Sequence, residues 1–177
     1  MPITPDVKDW TWVLDRPCPD CGFDASAFSR DDVASMIRGS AISWQAVLAR
    51  ANVASRANKN MWSPLEYGCH VRDVFRLYDR RLALMLTQDN PTFANWDQDA
   101  TAIDDAYDAQ DPVDVAVELD EAAALLADRF DGVTGDQWSR RGRRSDGANF
   151  TVESFARYMI HDPTHHLFDV GVVEHGK

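Results

Sequence analysis

From Asp31 onward, apolar residues return every three or four positions: Val33, Met36, Ile37, Ile42, Trp44, Val47 and Leu48. That is the period of a helix with one buried face, and Ser29 and Asp31 both suit its N-cap. A second helix opens in "NKNMWSPLEYGCHV". Ser63 is a natural N-cap, Pro64 fits the first helical position, and Glu66 completes a capping box. This helix is predicted to run to about Thr87. A third is predicted from about Val113 to Arg129, in a stretch rich in the strong helix formers Ala, Leu and Glu. Thr151 caps a fourth, predicted to reach about Val173.

The segments between carry the opposite signals. Residues 1–29 are broken by Pro2, Pro5, Pro17, Pro19 and Gly22, and read as an extended arm lying over the core. "DGVTGDQWSRRGRRSDGANF" holds four glycines and reads as loop or hairpin. The short link between the first two helices suits an antiparallel pair, and the two long links allow crossovers. The expectation is an all-α four-helix bundle over residues 30–177, with long crossover loops and the arm packed against it.

Length and charge narrow the partners. The chain has 177 residues, enough for one domain with a sizeable core, and a formal net charge of −11. Such an acidic surface repels phosphate backbones and anionic lipid heads, so neither nucleic acid nor membrane is expected as a partner. No basic and apolar leader opens the sequence, and no run of 18 apolar residues occurs, which makes a cytoplasmic location the expectation.

Candidate chemistry sits on the second and fourth helices. His70 shares a face with Glu66, Val74 and Leu77; His161 and His165, four apart, share one with Tyr158, Phe168 and Val172. Three imidazoles buried without partners would cost about 1–3 kcal/mol for each unsatisfied group. One divalent metal would satisfy all three and keep open positions for water or substrate. Pro163 falls between the two histidines and removes a helix hydrogen bond. The apolar stripe keeps its phase from Phe155 to Val172, so a kinked but continuous helix is expected. His166 points away from His165, toward Asp162 and Asp169, and reads as a surface charge pair. His175 belongs to the polar tail.

"WSPLEYGCHVRDVF" and, far downstream, "FTVESFARYMIHDPTHHLFDV" resemble the DinB-like superfamily of four-helix-bundle metalloenzymes, close to its actinobacterial mycothiol-dependent branch. The resemblance spans about residues 30 to 173. It implies an up-down-down-up bundle and a zinc or nickel ion held by His70, His161 and His165. It also implies an activity in which the metal activates water or a low-molecular-weight thiol such as mycothiol, giving a hydrolase or thiol S-transferase on a small molecule. Bundles of this kind dimerise through exposed helix faces, which leaves a homodimer open. A non-catalytic bundle that senses or sequesters a metal or small ligand is the alternative reading.

Four further features complete the expectation. Glu66 is either a catalytic base or metal-orienting acceptor, or simply the capping residue. Arg143 and Arg144, in an arginine-rich loop, suit anionic parts of a substrate or thiol, and Trp96 and Asp97 suit the wall of the same opening. "CPDC" has the spacing of half a zinc site. The chain contains only one other cysteine, Cys69, so Cys18 and Cys21 read as packing residues of the arm, with a zinc shared across a dimer as the other option.

Overall fold

The computed structural model describes residues 9–172. Four long helices form the bundle: α1 (Val33–Leu48), α2 (Pro64–Thr87), α4 (Pro112–Asp131) and α5 (Val152–Asp169). A short helix, α3 (Gln98–Asp104), lies in the link between α2 and α4. The caps follow the sequence. Ser63 and Glu66 form the capping box of α2, Asp111 accepts from Val113 N–H at 2.8 Å to start α4, and Thr151 accepts from Ser154 N–H to start α5. Gly171, at φ +72°, takes the left-handed conformation that ends α5. The helix therefore closes at Asp169, short of the predicted Val173, which with His175 lies outside the described residues.

Cross-helix pairs fix the directions. Arg38, early in α1, pairs with Asp128 and Asp131, late in α4, while Gln45 near the end of α1 donates to Ala116 O near the start of α4. Those two helices are antiparallel. Arg72 reaches Glu118 early in α4 and Asp79 takes Arg129 late in it, so α2 and α4 are parallel. His70, early in α2, faces Asp162, late in α5, making that pair antiparallel. The order is up-down-down-up. It works because the link from α2 to α4 is long enough to carry the chain back along the bundle. Tyr107 anchors that link: its ring is fully buried and its hydroxyl donates to Asp73 at 2.5 Å.

A small sheet, which the sequence reading did not resolve, closes the end where α2 finishes and α5 starts. β2 (Arg141–Arg144) pairs antiparallel with β3 (Asn149–Thr151) and parallel with β1 (Thr92–Phe93). Gly142 lets β2 approach α2 closely, since a Cβ there would meet Met85 Cγ at 2.7 Å.

The arm is tightly held. Val13, Cys18, Cys21, Phe23 and Ala25 are buried with the bundle core, and Arg157 of α5 donates to the carbonyls of Ala25 and Phe28. Across Pro163 the helix is continuous, as expected. The Thr164 hydroxyl donates to Ile160 O at 2.7 Å beside the interruption.

Candidate metal centre

Helix periodicity gives α5 two chemically different faces one residue apart. His161 and His165 share one, and Asp162 and His166 share the next, rotated by about 100°. The second face meets α2. His70 Nε2 lies 3.2 Å from Asp162 Oδ1, and His166 Nε2 lies 3.8 Å from the same oxygen. The three residues offer ligand atoms all within 4.8 Å of one another. For a tetrahedral zinc with N and O ligands at about 2.0–2.2 Å, neighbouring ligand atoms stand about 3.3–3.6 Å apart, so this set needs little movement to close on an ion. His166 Nδ1 sits 2.8 Å from Asp169 Oδ2, the carboxylate–histidine pairing that turns the other ring nitrogen toward a metal. Two imidazoles and a carboxylate are a known catalytic zinc donor set, and the residues present fit a divalent ion.

The structure thus divides the expected trio. His70 joins Asp162 and His166, whereas His161 and His165 turn to the arm, where their ligand atoms lie within 4.8 Å of those of Cys18 and Cys21. The cause is helical phase: the inward face of α5 opposite His70 begins at 162, not 161. Sequence reasoning took His166 for a surface residue. Its side chain is only 17% exposed, although both of its expected partners, Asp162 and Asp169, are present.

Electrostatics mark the site. Burial alone would raise the Asp162 carboxyl, but His70, His166 and His161 outweigh it and hold the group far below the usual carboxylate range. Burial pushes His161 down to about 4, so its ring is neutral at physiological pH. His70 Nδ1 and His161 Nε2 are both buried without a hydrogen-bond partner among the described residues.

A cavity of about 660 Å³ opens beside the histidines and is lined by His161, Asp162, His165 and His166 together with Trp10, Trp62, Tyr67 and Trp96. Trp96 stacks flat on His70, ring centroids 5.3 Å apart and planes 8° from parallel. Asp97 lines the cavity while its carboxylate caps α3 through Ala100 N–H. Arg144 is also in the wall, held by Asp146 and by the Tyr158 hydroxyl at 3.2 Å. Arg143 is not in the wall; it is exposed on β2 beside Thr92.

Glu66 takes the capping role of the two expected for it. Its carboxylate accepts from Ser63 N–H at 2.8 Å and is clasped by the Arg56 guanidinium. It neither lines the cavity nor hydrogen-bonds His70, because its oxygens are turned to the start of the helix. A further missed residue is Arg81: 5% exposed and in the cavity wall, its Nη2 donating to Ala94 O at 2.7 Å, while its Nε has no hydrogen-bond partner and no carboxylate pairs with it among the described residues. Its position seven residues after Val74, on the inward stripe of α2, was the available signal. Cys69 is buried in the core, its thiol pushed up to about 12 by burial.

Among the described residues, no helix is long and apolar enough to cross a membrane. Comparison with solved structures finds YfiT from Bacillus subtilis, described as a probable metal-dependent hydrolase with an unusual four-helix bundle topology. The match covers 81% of this chain and 86% of that one, at 16% identity and a TM-score of 0.71, and establishes the shared bundle fold. No curated protein matches the sequence. The family model of the DinB superfamily matches residues 42–168. That span takes in α2 through most of α5, the two helices that carry His70, Asp162 and His166, and the chain is a member of the DinB superfamily.

Proposed function

We propose that the protein is a metal-dependent enzyme that directs water or a low-molecular-weight thiol onto a small-molecule electrophile, as a hydrolase or thiol S-transferase. The observation that carries this reading is the convergence of His70, Asp162 and His166, with Asp162 and His166 in the wall of a large cavity and His70 buried behind them. A divalent ion such as zinc or nickel would supply there the Lewis acidity that makes water or a thiol nucleophilic near neutral pH.

The chain's own residues divide the remaining work. Asp169 orients His166, and Trp96 and Trp62 hold the His70 ring between them, with centroids 5.3 and 5.4 Å away. A carboxylate among the ligands removes one unit of charge from the site relative to three imidazoles, which moderates its hold on an anionic nucleophile. Arg81 and Arg144 face the cavity as cations, and suit a carboxylate or another anionic group on the substrate or thiol. The cavity falls within the range of small-ligand sites, about 300–1,000 Å³.

The test is turnover of activated esters and of electrophiles supplied with a thiol, using metal-loaded native protein and His166→Ala. Saturable turnover by the native protein, reduced by about 100-fold in the variant, is expected. Tight binding of ligands with no turnover in either panel would overturn the enzymatic reading in favour of a sequestering protein.

A further inference from the structure

Cys18, Cys21, His161 and His165 form a second convergence of ligand groups, separate from His70, Asp162 and His166. All four offer ligand atoms within 4.8 Å of one another; the cysteines and His161 are buried and His165 is nearly so. Both cysteines are free thiols.

The local geometry is that of a metal-binding turn. "CPDCGF" folds back on itself: Gly22 N–H donates to Cys18 O at 2.9 Å and Cys18 N–H to Phe23 O at 2.8 Å. Gly22 sits at φ +73°, a conformation L side chains rarely adopt, which brings the two thiols to one side of the turn. Opposite, one turn of α5 presents His161 and His165. Cys18 Sγ stands 3.6 Å from His165 Nδ1. With Zn–S near 2.3 Å and Zn–N near 2.0–2.1 Å, tetrahedral coordination sets sulfur and nitrogen about 3.6 Å apart.

A hydrogen bond from thiol to imidazole accounts for that single distance but not for the rest. It leaves His161 Nε2 buried with no partner among the described residues, in a pocket walled by Phe23 and Trp10, whose rings lie 5.3 and 5.4 Å from the His161 ring. Two buried thiols and a buried imidazole are expensive to leave half satisfied.

We propose that Cys18, Cys21, His161 and His165 bind a zinc ion as a closed Cys2His2 structural site that fastens the N-terminal arm to α5. The sequence shows only a C-x-x-C because the other half of the site is an H-x-x-x-H more than a hundred residues away. Four protein ligands leave no open position, so this ion has a structural role, and its ligands are present only when the arm is docked. Trp10 and Asp20 of the arm line the cavity, so the same ion holds one wall of the proposed active site in place. Loading releases the two thiol protons as the sulfurs become thiolates, with no change in oxidation state.

Cobalt substitution tests this without reference to activity. Reduced native protein, stripped of metal and reloaded with Co²⁺, is expected to show thiolate-to-cobalt charge-transfer absorption. That absorption should persist in His166→Ala, whose change removes a ligand of the other group only, and vanish in Cys18→Ser and in Cys21→Ser. X-ray absorption at the zinc edge of zinc-loaded His166→Ala should show sulfur neighbours at about 2.3 Å. Absence of the charge-transfer band in native protein, a zinc shell of nitrogen and oxygen alone, or a Cys18–Cys21 disulfide in protein purified under reducing conditions would each overturn the assignment. Should the cysteine variants fail to fold, the native and His166→Ala spectra decide. None of these readouts depends on the His70 group holding a metal, so the two readings stand or fall separately.

Discussion

Glu66 shows how one side chain is committed by its neighbours. Burial pushes its carboxyl up, yet hydrogen bonds from Arg56 and Ser63 more than offset this, and the group titrates below its ordinary value. A carboxyl depressed in the folded state adds stability above its unfolded pKa, near 4.3, and that contribution disappears as pH falls through the folded value. Glu66→Gln should therefore cost about 1–3 kcal/mol in urea unfolding at pH 7. The gap to the native protein should narrow steadily below about pH 4. A gap that stays constant with pH would show that the carboxylate's charge contributes nothing. The cap was legible in the sequence because Ser63, Pro64 and Glu66 are adjacent. Arg56 was not legible as a partner, because nothing in a loop residue's type says where it points.

At the scale of the element, α5 presents candidate ligands on two faces, and substitutions along it should separate by face. Asp162→Asn is expected to weaken divalent-metal binding at the His70 group by 10–100-fold and leave the cobalt–thiolate absorption intact. Loss of both signals together would mean that the two faces are not independent. Where the elements lie tightly against one another, size rather than charge decides. Gly142→Val would drive a side chain into Met85 and Phe93 and should lower stability by about 1–3 kcal/mol by denaturant unfolding. The four long helices were readable from period and caps, and the β2–β3 hairpin was one of two readings of its stretch, while α3 and the pairing with β1 were not readable. β1 is two residues long, and β2 is an arginine-rich strand with one buried glycine, so neither carries an alternating apolar pattern. The face of α5 opposite His70 was likewise undetermined, because 161 and 162 are one residue apart and a stripe of period 3.6 is wider than that step.

For the molecule as a whole, the arm is the part that metal occupancy should govern. Its hold on the bundle rests on buried Val13, Cys18, Cys21 and Phe23, on Arg157 and, in our proposal, on zinc. Chelation should therefore speed proteolytic cleavage within the first 29 residues well before the bundle is cut. Mass analysis of the fragments would show this, and an equal rate with and without chelator would count against the clasp. The bundle topology was anticipated from connection lengths together with family resemblance. The approach of Cys18 and Cys21 to His161 and His165 joins residues far apart in sequence, and no local pattern encodes such a pairing.

Two ligand pairs written on consecutive positions of one helix make α5 work like a reading frame. A slip of one residue would carry His161 and His165 round to face His70 and turn Asp162 and His166 away. The site would then be built from three imidazoles, and the cysteines would lose their partners. The hardness of the donor set and the charge at the cavity wall are therefore fixed by helix register as much as by residue identity. A single insertion between Thr151 and His161 would rewrite both at once.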